Sequence, residues 1–349
     1  MAIRQYPYRK SIIRYLFKSL DFILDLFVNK KKTLPDVFDN ILLIKPDHLG
    51  DIVLFTSIIE PIKNKYPNSN IDVVIGSWSN QLLQNNENIR NIYNVDHYKH
   101  NRMPSSTFNK IKIFYTTYTN TLKSIREIKY DLVLNFRSYG MNLVTLQYLS
   151  NSKYTIGFAS SGFSPLLDLE VELKDNQHEV EYFIDILKEI NINLKMEDLS
   201  SKLYISKEDN SYVDNILKQY NLDKFIIIHP GSGDINRLMT DKFWSDIISK
   251  QGMEIVFCGT KSEMNLIKNI SSPNTINLMG KFNILQLLAF YKKAQLIYAV
   301  ESLAGHIASI TDIKTISFYS NFTDTTRWKP IGKNVEVIKE HDKYLESLI

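Results

Sequence analysis

Three short segments of this sequence set residues able to do chemistry beside turn-forming glycines. The first is Lys45-Pro46-Asp47-His48-Leu49-Gly50-Asp51, directly after an apolar run at 41–44. Gly50 permits a tight turn or a close approach by a ligand. Asp51 stands where a helix begins, so it can cap that helix. The same carboxylate, at the C-terminal edge of a strand, can also act as a general base. His48 shares the loop. The second segment, His229-Pro230-Gly231-Ser232-Gly233-Asp234-Ile235-Asn236-Arg237, offers backbone N–H groups, the Ser232 hydroxyl and the Arg237 cation. That is the chemistry of a phosphate cradle, and equally of an ordinary strand-to-helix loop. The third, Glu301-Ser302-Leu303-Ala304-Gly305-His306, gathers an acid, a hydroxyl and an imidazole around a helix start, where the positive end of the helix favours an anion. A lone histidine there also suits a purely structural role. His97 and His100 have the spacing of metal ligands but lack a third ligand at a useful distance, and read as loop residues.

Each of these loops needs a strand to carry it. The run at 41–44, a helical pattern over 52–66 ended by Pro67, and a second apolar run at 71–76 spell strand, loop, helix, strand. Further strands are expected at 92–95, 132–135 and 154–158, with helices at 116–129 and 139–149. Residues 169–223 read as a bridge with helices at 179–190 and 212–220. The alternation then restarts at 225–228, with strands at 254–258, 275–277, 296–300 and 315–318. The intervening helices fall at 241–250, 261–269, 284–293 and 305–310. The pattern predicts an α/β protein of two Rossmann-like domains facing a central cleft, at residues 40–205 and 206–349.

Residues 1–39 stand apart. Apolar positions between Tyr8 and Val28 are interrupted by Arg9, Lys10, Arg14, Lys18, Asp21 and Asp25, and Lys30, Lys31 and Lys32 follow. This is not a signal peptide. It reads as a basic amphipathic helix, set against anionic membrane or, alternatively, packed on the fold. No run is long and apolar enough to span a bilayer.

Composition narrows the function. The 349 residues carry a net charge of +4 with Lys and Arg spread along the chain, which gives no basis for a nucleic-acid partner. The single cysteine, Cys258, excludes a disulfide framework or a cysteine-ligated metal cluster within one chain. A reducing compartment follows most simply. No G-x-G-x-x-G, P-loop, H-E-x-x-H or G-x-S-x-G motif is present, which weakens a dinucleotide-dependent oxidoreductase.

Taken in order, ILLIKPDHLGDIVLFTSIIEPIKNKYP, IIIHPGSG, FCGTKSE, NLMGKFNILQLLAFYKKAQLIYAVESLAGHIAS and FYSNFTDTTRWKPIG resemble the family-9 glycosyltransferases. That family includes the ADP-heptose:lipopolysaccharide heptosyltransferases. The resemblance runs from about Ile41 to Gly332 and implies a GT-B fold. It also implies an inverting transfer of a sugar, plausibly heptose from ADP-heptose, to a lipopolysaccharide core or related glycan. By position it makes Asp51 the general base; His48 and Gly50 share that loop, as acceptor-side or simply loop residues. It places Ser232, Gly233, Arg237, Glu263, Glu301, Ser302, Gly305 and His306 around the nucleotide sugar. It implies no metal and no cofactor besides the donor substrate. The expected location is the cytoplasm, peripheral on the inner face of the cytoplasmic membrane. Three departures touch the donor side: Asn236 stands where the family has lysine, Glu301 where it has aspartate, and Leu303-Ala304-Gly305 where it has Gly-Pro-Met. The first two keep open a catalytically silent, membrane-associated binding protein as an alternative.

Overall fold

The computed structural model describes residues 2–30, 33–138, 143–270 and 272–348. The chain divides into two compact units, Met1–Leu199 and Ser200–Ile349. The first contains β1 (Asn40–Ile44), β2 (Asn70–Ile75), β3 (Ile89–Asn94), β4 (Leu132–Asn135), β5 (Tyr154–Phe158) and β6 (Leu169–Val171). They form one parallel sheet in the order β3-β2-β1-β4-β5-β6. The second contains β7 (Phe225–His229), β8 (Glu254–Phe257), β9 (Thr275–Asn277), β10 (Leu296–Val300), β11 (Thr315–Phe318) and β12 (Val335–Ile338). Its order, β12-β11-β10-β7-β8-β9, is the same winding repeated.

The winding explains the sequence pattern. β1 lies between β2 and β4, with Ile41, Leu42, Leu43 and Ile44 fully buried, and β7 lies between β8 and β10 with Phe225 to Ile228 fully buried. A central parallel strand is covered on both faces and therefore reads as an unbroken apolar run. In each sheet the chain reverses direction beside that first strand, between β1 and β4 and between β7 and β10. Loops leaving the C-terminal ends of strands at such a switch point diverge and leave a crevice.

Four helices bear on function: α1 (Ser11–Phe27), α2 (Leu49–Phe55), α3 (Glu179–Lys188) and α4 (Leu303–Ala308). The pattern expected as one helix over 52–66 is α2, a 3-10 turn at Thr56–Ile58 and a second helix, Ile59–Lys65. Pro61 is the cause: it has no N–H to give and its ring crowds the carbonyl four residues back. The helix expected at 139–149 is Val144–Leu149, and 139–142 lie outside the described residues. The segment 261–269 is a 3-10 helix, Lys261–Ile267, not an α-helix.

By compactness, the N-terminal segment falls within the first unit, and the second unit begins at Ser200. Gln5 forms an isolated parallel bridge to Ser160, just past β5. The Arg4 guanidinium grips Glu170 at 2.6 and 2.8 Å and also pairs with Asp25. Phe17 stacks on Tyr8 at 4.9 Å and meets Phe163 edge-on at 5.5 Å. Asp21 is the one fully buried residue of α1, accepting hydrogen bonds from Tyr6 Oη at 2.8 Å and Phe163 N at 2.6 Å. Gly162, at φ +85°, makes this seat possible, since a Cβ there would come within 2.4 Å of Phe17. Lys31 and Lys32 lie outside the described residues.

Candidate active site

In the first unit, charged side chains converge where β1 and β4 end. Lys45, the residue after β1, is buried with its Nζ 2.6 Å from Glu179 Oε1 of α3, 3.1 Å from Asp47 Oδ2 and 3.1 Å from the Phe136 carbonyl. Arg137, two residues past β4, donates to Asp47 Oδ1 at 2.9 Å and to the Pro46 carbonyl at 2.8 Å. His100 lies 3.2 Å from Arg137, and its ring stacks obliquely on His48 at 4.6 Å. Trp78 Nε1 donates to the Asp47 carbonyl at 2.9 Å. The loop is therefore held from three sides.

Asp51 sits in the first turn of α2, and its Oδ2 accepts from the His48 backbone N–H at 3.1 Å. The capping role read from sequence is present, but its electrostatic setting is unusual. Burial, and then the negative charges of Asp47 and Glu179, push the Asp51 carboxyl up to about 7, against the pull of Lys45 and the His48 N–H. Asp47 goes the other way. Burial pushes it up, but Arg137, Lys45 and His100 outweigh that and hold it well below the usual carboxylate range. One carboxylate fixed as an anion beside another whose proton affinity matches neutral pH is how protein sites prepare a general base. Burial and the Arg137 charge push His100 down to about 4 and His97 to about 3, so both imidazoles are neutral near pH 7. Among the described residues, no group of three or more histidine, cysteine or carboxylate side chains is arranged to hold a metal ion.

The second unit builds its own site at the corresponding strand ends. Ser232, after β7, donates to the Glu301 carbonyl, after β10, at 3.0 Å. Arg237 Nη1 lies 3.2 Å from Glu301 Oε1, and Thr323 hydrogen-bonds the other oxygen of that carboxylate. Arg237, Glu301 and Thr323 border a cavity of about 300 Å³ lined also by Asn236, Phe322, Asp324 and Trp328. Asn236 is folded back onto Asp234, with its side-chain amide 3.0 Å from Oδ1. Glu263 accepts from Thr260 N at 2.6 Å and lies flat on Gly231, where a Cβ would come within 2.1 Å of its carboxylate. Ser302 caps α4 by accepting from Ala304 N at 3.3 Å. Gly305 faces Ser317 and Pro330, and His306 is buried in the same helix. His229 is held neutral: burial pushes it down to about 4, and its Nδ1 is 2.7 Å from Tyr291 Oη.

The structure thus joins Ser232, Arg237 and Glu301 directly and seats Glu263 on the same loop. In the first unit it adds Lys45, Asp47, Arg137 and Glu179, which sequence reasoning did not single out. Lys45 and Asp47 stood in the chosen loop. Arg137 and Glu179 carried no local signal.

The comparisons with known proteins meet this geometry at residues 119–347, which match the model of glycosyltransferase family 9 (heptosyltransferase). The chain belongs to glycosyltransferase family 9. It is a glycosyltransferase with the GT-B fold of its relatives. Lipopolysaccharide heptosyltransferase 3 of Escherichia coli strain K12 is 23% identical over 306 residues, covering 82% of this chain and 83% of that protein. The lipopolysaccharide core heptosyltransferase OpsX of Haemophilus influenzae is 20% identical, covering 84% and 83%. Among solved structures, a family 9 glycosyl transferase from Veillonella parvula superposes with a TM-score of 0.74 at 19% identity, covering 89% of each chain. The E. coli ADP-heptose lps heptosyltransferase II gives 0.66 at 18%, covering 86% of this chain and 90% of that one. The oxidoreductase and silent-member readings gain nothing from these matches.

Proposed function

We propose that this family 9 enzyme is an inverting heptosyltransferase. It would move heptose from ADP-heptose to a hydroxyl of a lipopolysaccharide-type glycolipid. The observation that carries this reading is the Asp51 carboxyl, buried at the end of β1 and poised near neutrality beside the permanently ionised Asp47. In the proposed step, Asp51 takes the proton of the acceptor hydroxyl as its oxygen attacks the anomeric carbon. The bond from that carbon to the ADP oxygen breaks, the configuration inverts, and ADP leaves with the bonding pair. The backbone N–H groups around Ser232 and Gly233, together with Arg237, meet the charge of the departing diphosphate. No metal is assigned a part. Arg237 is paired with Glu301 in the structure, so phosphate binding exchanges one anionic partner for another. Glu263, Ser302, Gly305 and His306 complete the donor side, and His48 and Gly50 the acceptor side. A nucleotide-sugar donor together with a lipid-linked acceptor supports a place on the cytoplasmic side, peripheral to the inner membrane.

The names of the relatives, which are heptosyltransferases acting on lipopolysaccharide or its core, support the choice of sugar and acceptor. A thermal-shift panel of ADP-, GDP-, UDP- and dTDP-sugars tests the donor, because a ligand bound only by the folded state raises its melting temperature. ADP-heptose alone should raise it strongly. An equal or larger shift with another nucleotide sugar would overturn the donor assignment.

A further inference from the structure

Helix α1 carries two largely apolar faces, and only one of them, which includes the buried Asp21, is covered. At about 100° per residue, Ile13, Phe17, Leu20, Asp21, Leu24 and Val28 fall on one side, which is the side seated on the first unit. Ile12, Tyr15, Leu16, Phe22, Ile23, Leu26 and Phe27 fall on a separate arc of about 140°. These seven large apolar side chains stay between 49% and 79% exposed. Single exposed hydrophobics need no explanation, but a stripe about four helical turns long, interrupted only by Ser19, does.

We infer that this stripe is a membrane-docking surface for anionic lipid, which gives the peripheral reading above a definite contact face. Charge selects lipid over a second copy of the chain. Arg9, Lys10, Arg14 and Lys18 are all exposed, and Arg14 and Lys18 run along one margin of the stripe. The helix offers no carboxylate to receive such cations from another copy, because Asp21 is buried against Tyr6 and Phe163 and Asp25 is held by Arg4. An anionic bilayer supplies both partners: its acyl chains cover the stripe and its phosphates meet the cations. The helix is too short and too charged to span a bilayer, so it lies in the plane of the interface.

The seat of the helix makes the contact rigid. Arg4, Phe17 and Asp21 lock α1 to Glu170, Phe163 and the turn at Gly162, so the bilayer meets a fixed face of the first unit rather than a loose leash.

The test is flotation of the full chain with phosphatidylcholine vesicles, with and without phosphatidylglycerol. The chain should float with phosphatidylglycerol vesicles, and high salt should weaken this. Leu16→Ser/Ile23→Ser/Phe27→Ser should reduce partitioning by about tenfold or more, with the melting temperature unchanged because all three are exposed. Arg9→Gln/Lys10→Gln/Arg14→Gln should abolish the preference for anionic vesicles. The inference is overturned if the chain ignores anionic vesicles, or if partitioning survives the serine variant. It is equally overturned if light scattering shows a dimer that the serine variant dissolves while vesicles go unbound. Vesicle binding needs neither donor nor turnover, so its failure leaves the transferase reading standing, and loss of the transferase reading leaves this one to be judged by itself.

Discussion

Replacing Asp51 with asparagine should change activity and stability in opposite directions, and the structure sets the size of both effects. The carboxyl moves from the ordinary 3.8 to about 7 on folding. The folded state therefore keeps the proton over a range in which the unfolded chain has lost it. The contribution to stability is present below pH 4, is lost as pH rises toward 7, and changes no further above that. At about 1.4 kcal/mol per pH unit, ionised Asp51 costs the native state about 4 kcal/mol at pH 8. Asparagine keeps an acceptor for the His48 N–H but gives up a favourable anion at the start of α2, worth about 0.5–1 kcal/mol. Asp51→Asn should therefore be more stable than the parent by about 3 kcal/mol at pH 8, and close to equal at pH 4. For a unit of this size that is a rise in melting temperature of roughly 6–12 °C. Transfer should fall by about 10²–10⁴, with ADP binding unchanged. Calorimetry at the two pH values, together with an ADP-release assay, reads both effects. A variant destabilised at pH 8, or one that transfers sugar at the parent rate, would refute the reasoning.

Asp47→Asn removes the fixed negative charge beside Asp51, which favours ionisation of the Asp51 carboxyl. The acid limb of the pH–rate profile, expected near 7 in the parent, should move to lower pH by about half a unit or more, and an unmoved limb would break the link. Arg237→Ala should weaken ADP binding about tenfold while sparing adenosine, and Glu301→Gln, which releases Arg237, should tighten ADP; calorimetric titration of the two ligands measures both. Gly162→Ala forces a side chain into Phe17 from a left-handed backbone, so it should cost about 1–3 kcal/mol and make α1 the first site of limited proteolysis.

The central strands were legible because burial on both faces leaves a compositional mark. Ile41–Ile44 and Phe225–Ile228 are apolar without interruption, and the loops that follow them were found with them. β6 and β12 were missed for the converse reason. Leu169 to Val171 and Val335 to Ile338 are short, mostly half-buried and interrupted by Glu170 and Glu336, so they lack the unbroken apolar run that marked the central strands. The order of motifs also identified the family from the sequence. The sequence could not show the electrostatic state of Asp51, because the groups that set it come from distant parts of the chain. Glu179 lies 134 residues from Lys45, and Arg137 lies 91 residues from Pro46, and only the winding of the sheet brings β1, β4 and α3 to one point. The same holds for α1. Its amphipathic pattern shows which residues avoid charge, but two apolar faces share one 17-residue helix, and only packing determines which of them is covered. Local pattern records what a residue needs, whereas a proton's affinity and a face's partner depend on neighbours that the chain supplies only after it folds.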